Sequence, residues 1–188
     1  VNSEATGTKV INEVATDCAI DIAALENGQA QCGWVGANEY LTAHGRNPKV
    51  IPLVVNSGPS GTLKDALYYS RFVVKKGNEA QYETDGHFGI SDIVGKRMYF
   101  VSASSTSGFN MPAAAILSTF DKQAKWKTLT KEDLAQGSSG HFFSKVLFGG
   151  SHQLSLVNAL TGHAEVAAVW DFLVAPDVKL VSGTDNTD

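Results

Sequence analysis

YFVSASSTSGFNMPAAAILSTF, residues Tyr99 to Phe120, reads as a strand, a hydroxyl-rich loop and a helix start in immediate succession. Tyr99, Phe100 and Val101 form an apolar run of strand type. The chain then breaks into Ser102, Ser104, Ser105, Thr106, Ser107 and Gly108, and Pro112 falls in the first turn of the expected helix. A loop in this place is an anion cradle: backbone N–H groups and the positive end of the helix dipole point into it, and the hydroxyls add donors that rotate to suit an oxyanion. A serine-rich turn that merely caps a helix has the same residues, because Ser and Thr are favoured caps. The stretch alone does not choose between them.

Working outward, the same layout recurs. Thr16 and Asp17 stand at a helix cap, Ala19, Ile20, Ile22, Ala23 and Leu25 supply an apolar face, Gly28 follows as a C′ glycine, and Ala30 to Val35 are expected as a strand. Much later, Phe142 to Phe148 is expected as a strand leading into Gly149, Gly150, Ser151 and His152. A helix to Leu160, then Gly162 and a strand from Glu165 to Trp170, complete the unit. With Gly28 laid on Gly162, Asp17 falls on Ser151, Ile20 on Leu154 and Cys32 on Val166, as if one supersecondary unit were used once per lobe. Lys9 to Ala15 is expected as a further strand. Asn56 to Gly61 is a turn-rich loop before a strand at Tyr68 to Lys75, Ser91 to Gly95 is a short helical turn, and residues 121 to 140 are a polar surface excursion. Strands alternating with helices predict an α/β architecture with largely parallel sheets, whose ligands sit beyond the carboxyl ends of the strands.

Composition narrows the class. The 188 residues suffice for one domain or two small lobes, and 43% hydrophobic residues for a packed core. A formal charge of -4, with Lys75–Lys76 and Lys96–Arg97 as the adjacent basic pairs, argues against bulk nucleic-acid binding. No apolar run approaches the ~20 residues that span a bilayer, and Val1 opens no signal peptide, so a targeting segment is expected to have been removed or never to have existed. Cys18 and Cys32 lack zinc-site spacing and are expected as free thiols.

Three strand-to-helix loops thus carry small or polar residues: Thr16–Cys18, Ser104–Gly108 and Gly149–His152. Convergence of the three would make a pocket. Ser105 or Ser107 with His152 and Asp171 would supply the residue types of a hydrolase triad, but the chain has no G-x-S-x-G elbow and no serine is singled out. His152, His163 and Glu165 lack the i, i+4 spacing of a helical metal pair, and no cofactor motif is present.

Together ATDCAIDIAALENGQAQCGWVGANEYLTAHGRNP, YYSRFVVKK, SDIVGKRMYFVSASSTSGFNMPAAAIL, KVLFGGSH and LTGHAEVAAVWD resemble, in order, the phosphonate and phosphite group of periplasmic solute-binding proteins of ABC importers, from about Val14 to Asp171. The resemblance implies a type II periplasmic-binding-protein architecture of two α/β lobes joined by crossing strands. It divides the chain into a partial first lobe (1–70), a second lobe with the anion loop (71–171) and a crossing back with a polar tail (172–188). It implies that Ser105, Thr106 and Ser107 hold the ligand oxygens, with His152 and Asp171 contributing and Tyr68 facing the ligand from the crossing strand. Cys18 stands where the family usually has Tyr, and Gly36, Ala37 and Asn38 where it usually has Gly-Pro-Ser, both on the first lobe's side of the pocket. The family's opening strand and helix and its return after Asp171 are missing, so the first lobe is expected to be incomplete. The function implied is capture of a small phosphorus oxyanion outside the cytoplasm, in the periplasm or as a surface lipoprotein, and delivery to a membrane permease, without cofactor. A ligand sensor of the same fold is the alternative, ahead of the hydrolase. His152, as a cation, is expected to make affinity fall as pH rises through its titration.

Overall fold

The computed structural model describes residues 3–137 and 141–171. The expected crossing and tail at 172–188 lie outside them. The centre is a four-stranded sheet made from β1 (Ser70–Val73), β4 (Arg97–Phe100), β5 (Lys145–Phe148) and β6 (Val166–Trp170), in the order β1-β6-β4-β5. β4 lies parallel to both β5 and β6, while β1 runs antiparallel to β6 with Ser70 opposite Trp170. The sheet is therefore mixed and mostly parallel, an α/β arrangement with helices on both faces. β2 (Glu83–Thr84) and β3 (His87–Phe88) form a small hairpin whose turn uses positive φ at Asp85 and Gly86, an Asp-Gly signal present in the sequence.

Alternation along the strands builds two cores. Val166 and Ala168 of β6, with Met98 and Phe100 of β4, face Ala113, Ile116 and Phe120 of α4 (Met111–Phe120). Ala167 and Val169 face Ala159 and Leu156 of α6 (His152–Leu160), with Val73 and Tyr99. The first core is aromatic: Phe100 meets Phe109 and Phe143 edge-on, with ring centroids 4.9 and 5.9 Å apart. Phe142 and Phe143, expected within a strand, are fully buried ahead of β5 instead. The polar excursion also contributes to the core. There α5 (Lys131–Leu134) opens with a Thr130–Asp133 capping box and drives Leu134 inside.

Residues 3–69 differ. α1 (Ser3–Thr6), α2 (Cys18–Glu26) and α3 (Ala37–Arg46) are helical, and α2 packs against α3. Lys9–Ala15 and Ala30–Val35, expected as strands, lie outside every described helix and strand, and the Ala30 N–H donates back to the Ala24 carbonyl instead. Backbone of strand conformation becomes sheet only where a neighbour accepts its ladder, and parallel strands also need cover on both faces. Val14 is accordingly 94% exposed and Ile11 71%. Ile22 on α2 is buried, at 3%.

Candidate anion-binding site

After β4 the chain turns at Ser102 and enters a π-helical turn, Thr106–Asn110, that runs directly into α4. Ser105 caps this turn, its Oγ accepting from the Gly108 N–H at 3.2 Å. Phe109, wedged beside Phe100 and Phe148, pins the turn to the sheet. Such turns inside helices often mark functional sites. The loop expected from the sequence as a cradle is thus rigidly held, with its own bonds partly spent on shaping it. Ser105 is a case: at 2% exposure its hydroxyl serves the loop.

Thr106 faces outward to the first segment of the chain. Its Oγ1 accepts from the Asn38 backbone N–H at 2.8 Å and donates to Glu39 Oε2 at 2.8 Å, while Asn38 Nδ2 donates to the Ser104 carbonyl at 2.6 Å. The N-terminus of α3 is therefore docked on the cradle. Room for this comes from Gly36, where an added Cβ would lie 2.5 Å from Glu39 Oε2 and 2.8 Å from Thr106 Oγ1.

The three loops do converge. Burial pushes the thiol of Cys18, at the start of α2, up to about 11; a hydrogen bond with Ser102 opposes this, and the Glu39 charge, a hydrogen bond to Glu39 and the Asp17 charge add to it. Both cysteines are free thiols, and that of Cys18 is neutral near pH 7. Gly149 and Gly150 donate to the carbonyls of Phe100 and Val101, and the Ser155 hydroxyl donates to Phe100 O, so the loop before α6 is stitched to the end of β4. Gly150, at φ +75, lies where an added Cβ would be 2.9 Å from the Thr16 carbonyl oxygen, in direct approach to the loop before α2. The starts of α2, α3 and α6 and the turn that opens α4 thus all meet around the cradle.

Tyr68 closes one side, where the chain enters β1. Burial pushes its phenol up; bonds with the Thr106 and Ser107 side chains oppose this, and the Glu39 and Asp171 carboxylates add to it. Ser107 is buried, and its carbonyl accepts from Ser70 Oγ at 2.6 Å. Asp171 follows β6, and its N–H donates to Tyr69 O at 3.0 Å. Tyr68, Thr106 and Ser107 line a cleft of about 630 Å³ together with Ala37, Arg71 and Met111. This volume lies in the range of small-ligand pockets.

His152 departs from expectation. Its Nδ1 accepts the Trp170 N–H at 3.2 Å, its ring lies 5.6 Å from the Trp170 ring, and burial lowers its pKa to about 4. It is a neutral imidazole with its proton on Nε2, not the cation expected to favour a dianion. That bond leaves the proton on Nε2, so His152 as placed has no free ring nitrogen to take a proton from the serine of a triad. No cluster of metal-ligand type is found among the described residues.

Sequence reasoning stopped at Asn38 and missed Glu39 and Arg71. Glu39 carried a signal, as an acidic residue in the first turn of a helix beginning where the pattern departs from Gly-Pro-Ser. Arg71 carried none beyond its place on the strand after Tyr68.

Residues 3–181 match the sequence model of the family described as ABC transporter, phosphonate, periplasmic substrate-binding protein. The chain belongs to this family. Among curated relatives, the phosphate-import protein PhnD of Mycolicibacterium smegmatis is 25% identical over 172 residues, which are 90% of this chain and 47% of that protein. Among solved structures, PhnD1 of Prochlorococcus marinus in complex with methylphosphonate superposes with a TM-score of 0.68 at 19% identity, over 94% of this chain and 57% of that one. A binding-protein component of an ABC phosphonate transporter from Pseudomonas aeruginosa gives 0.63 at 16% identity, over 93% and 52%. This phosphonate-family chain thus spans about half the length of the proteins it matches. The family consists of transport substrate-binding proteins, not enzymes, and its periplasmic description places it outside the cytoplasm.

Proposed function

We propose that this chain captures a small phosphorus oxyanion at the cradle and presents it to the permease of an ABC transporter. Family membership supports the transport role, and the observation that carries the site is the docking of the α3 N-terminus onto Thr106 across the same cleft that Ser107 and Tyr68 line. Neutral donors at converging helix starts stabilise an anion without requiring a bound cation. Ser107, Tyr68, the Nε2 proton of His152 and the amides of the turn are the donors on the sheet side. Thr106 joins them once its bond to Glu39 opens. Cys18, with its neutral thiol, sets the shape of the opposite wall, and Asp171 faces the part of the ligand away from the oxyanion. Residence in the periplasm, free or lipid-anchored, follows from the same reading.

Calorimetric titration with methylphosphonate, phosphite and phosphate tests it. Replacing both Thr106 and Ser107 by Ala removes two donors to a charged group, each contributing about 1.5 to 3 kcal/mol, so affinity should fall at least about tenfold. Unchanged affinity in the double variant would place the ligand elsewhere.

A further inference from the structure

An anion cradle has no evident use for a buried carboxylate, yet Glu39 is one. It is 5% exposed, its Oε2 receives the Thr106 hydroxyl, and the bare backbone of Gly36 makes the space it occupies. Its charge reaches the groups around the site: burial raises the Cys18 thiol, the Asp21 carboxyl and the Tyr68 phenol, and Glu39 raises each of them further. Among the described residues no lysine or arginine forms an ion pair with it. A ligand oxyanion bound at Thr106 would therefore lie against a carboxylate that has no cation beside it unless a hydrogen stood between them.

We propose that Glu39 is the specificity determinant of the cradle, restricting it to phosphorus oxyanions that bring a hydroxyl hydrogen of their own and turning away fully deprotonated tetrahedral anions such as sulfate. The proposal rests on the oxyanion reading above. The Thr106 hydroxyl has one hydrogen, which Glu39 holds in the unliganded chain. When a hydrogen phosphate or hydrogen phosphonate enters, that hydrogen turns to a ligand oxygen and the ligand's hydroxyl replaces it on Oε2. The carboxylate exchanges one donor for another and stays satisfied. Sulfate carries no hydrogen near neutral pH. It would strip Glu39 of its Thr106 donor with nothing to replace it and leave two anions in contact, which is costly at a buried site. Phosphorus monoesters and their kin keep a proton on part of the population at neutral pH, since their second ionisation lies at about 6.

The test is calorimetric titration of the full chain near pH 7 with phosphate, methylphosphonate and sulfate, in the wild type and in Glu39→Gln, which keeps the shape and can donate to sulfate. The wild type should bind sulfate roughly 100-fold more weakly than the tighter phosphorus anion, as expected where a buried group is left unpaired. In Glu39→Gln that ratio should narrow about tenfold or more. Sulfate binding the wild type within about threefold of phosphate overturns the proposal, as does an unchanged ratio in folded Glu39→Gln. Glu39→Asp, which keeps the charge but withdraws it, should lose phosphorus-anion affinity while still excluding sulfate, and sulfate binding at parity there is equally fatal. If the wild type binds neither phosphorus anion, the oxyanion reading itself falls. If it binds them tightly and discrimination survives in Glu39→Gln, only the role of Glu39 falls.

Discussion

Residues 3–69 and residues 70–171 are built from similar sequence patterns but reach different ends. In the later stretch every strand finds a neighbour, and the sheet is covered on both faces by α4 and α6. In the earlier stretch, Ile22, Glu39 and Ala43 are the buried residues among those described, while Ile51, Leu53, Val54 and Val55 stand exposed in one run. An apolar alternating segment stabilises a fold only through what it packs against. The site straddles this divide, with a rigid cradle on one side and on the other a helix pair held to it by Asn38 and Glu39.

The largest expected contrast is in amide hydrogen exchange. Residues 8–60 should exchange with protection near zero outside the helices, whereas β4 and β6 should open only with the whole fold, at about 5 kcal/mol or more. Equal protection on both sides would mean that the earlier stretch is closed by contacts beyond those described. Truncation sharpens the comparison. Phe100→Ala, in the aromatic core at 0% exposure, should cost about 3–5 kcal/mol in denaturant melts. Ile22→Ala, with few buried neighbours on α2, should cost no more than about 2 kcal/mol. Similar losses at the two positions would refute the asymmetry.

A smaller effect concerns His152, at the seam. Its pKa in the folded chain, about 4, is below the ordinary 6.5, so the unfolded chain binds the extra proton between these values. Stability should be fully present above about pH 6.5 and decline as pH falls towards 4. At about 1.36 kcal/mol per pKa unit, discounted for the ring's partial exposure, the loss is roughly 2 kcal/mol. His152→Gln should flatten this part of the profile in thermal melts. A wild-type profile already flat between pH 4 and 6.5 would show that the ring titrates normally.

The sequence by itself determined the elements whose causes are local. The Tyr99–Phe120 strand, cap and helix start, the C′ glycines at Gly28 and Gly162, and the Ser151 cap of α6 follow from hydrophobic period, cap chemistry and the freedom of glycine at positive φ, and all are where they were expected. Which hydroxyls face a ligand was not local. Ser105, Thr106 and Ser107 are equivalent in sequence, yet one caps the turn, one meets Glu39 and one lies beside Tyr68, because the π-helical turn points successive side chains in different directions. The neutral state of His152 needed Trp170, 18 residues away, and the carboxylate at the cradle needed α3 to dock 67 residues from Thr106. Whether Lys9–Ala15 and Ala30–Val35 became strands was likewise a tertiary outcome: a strand's hydrogen bonds are made by another segment, and no pattern within seven residues can supply that segment.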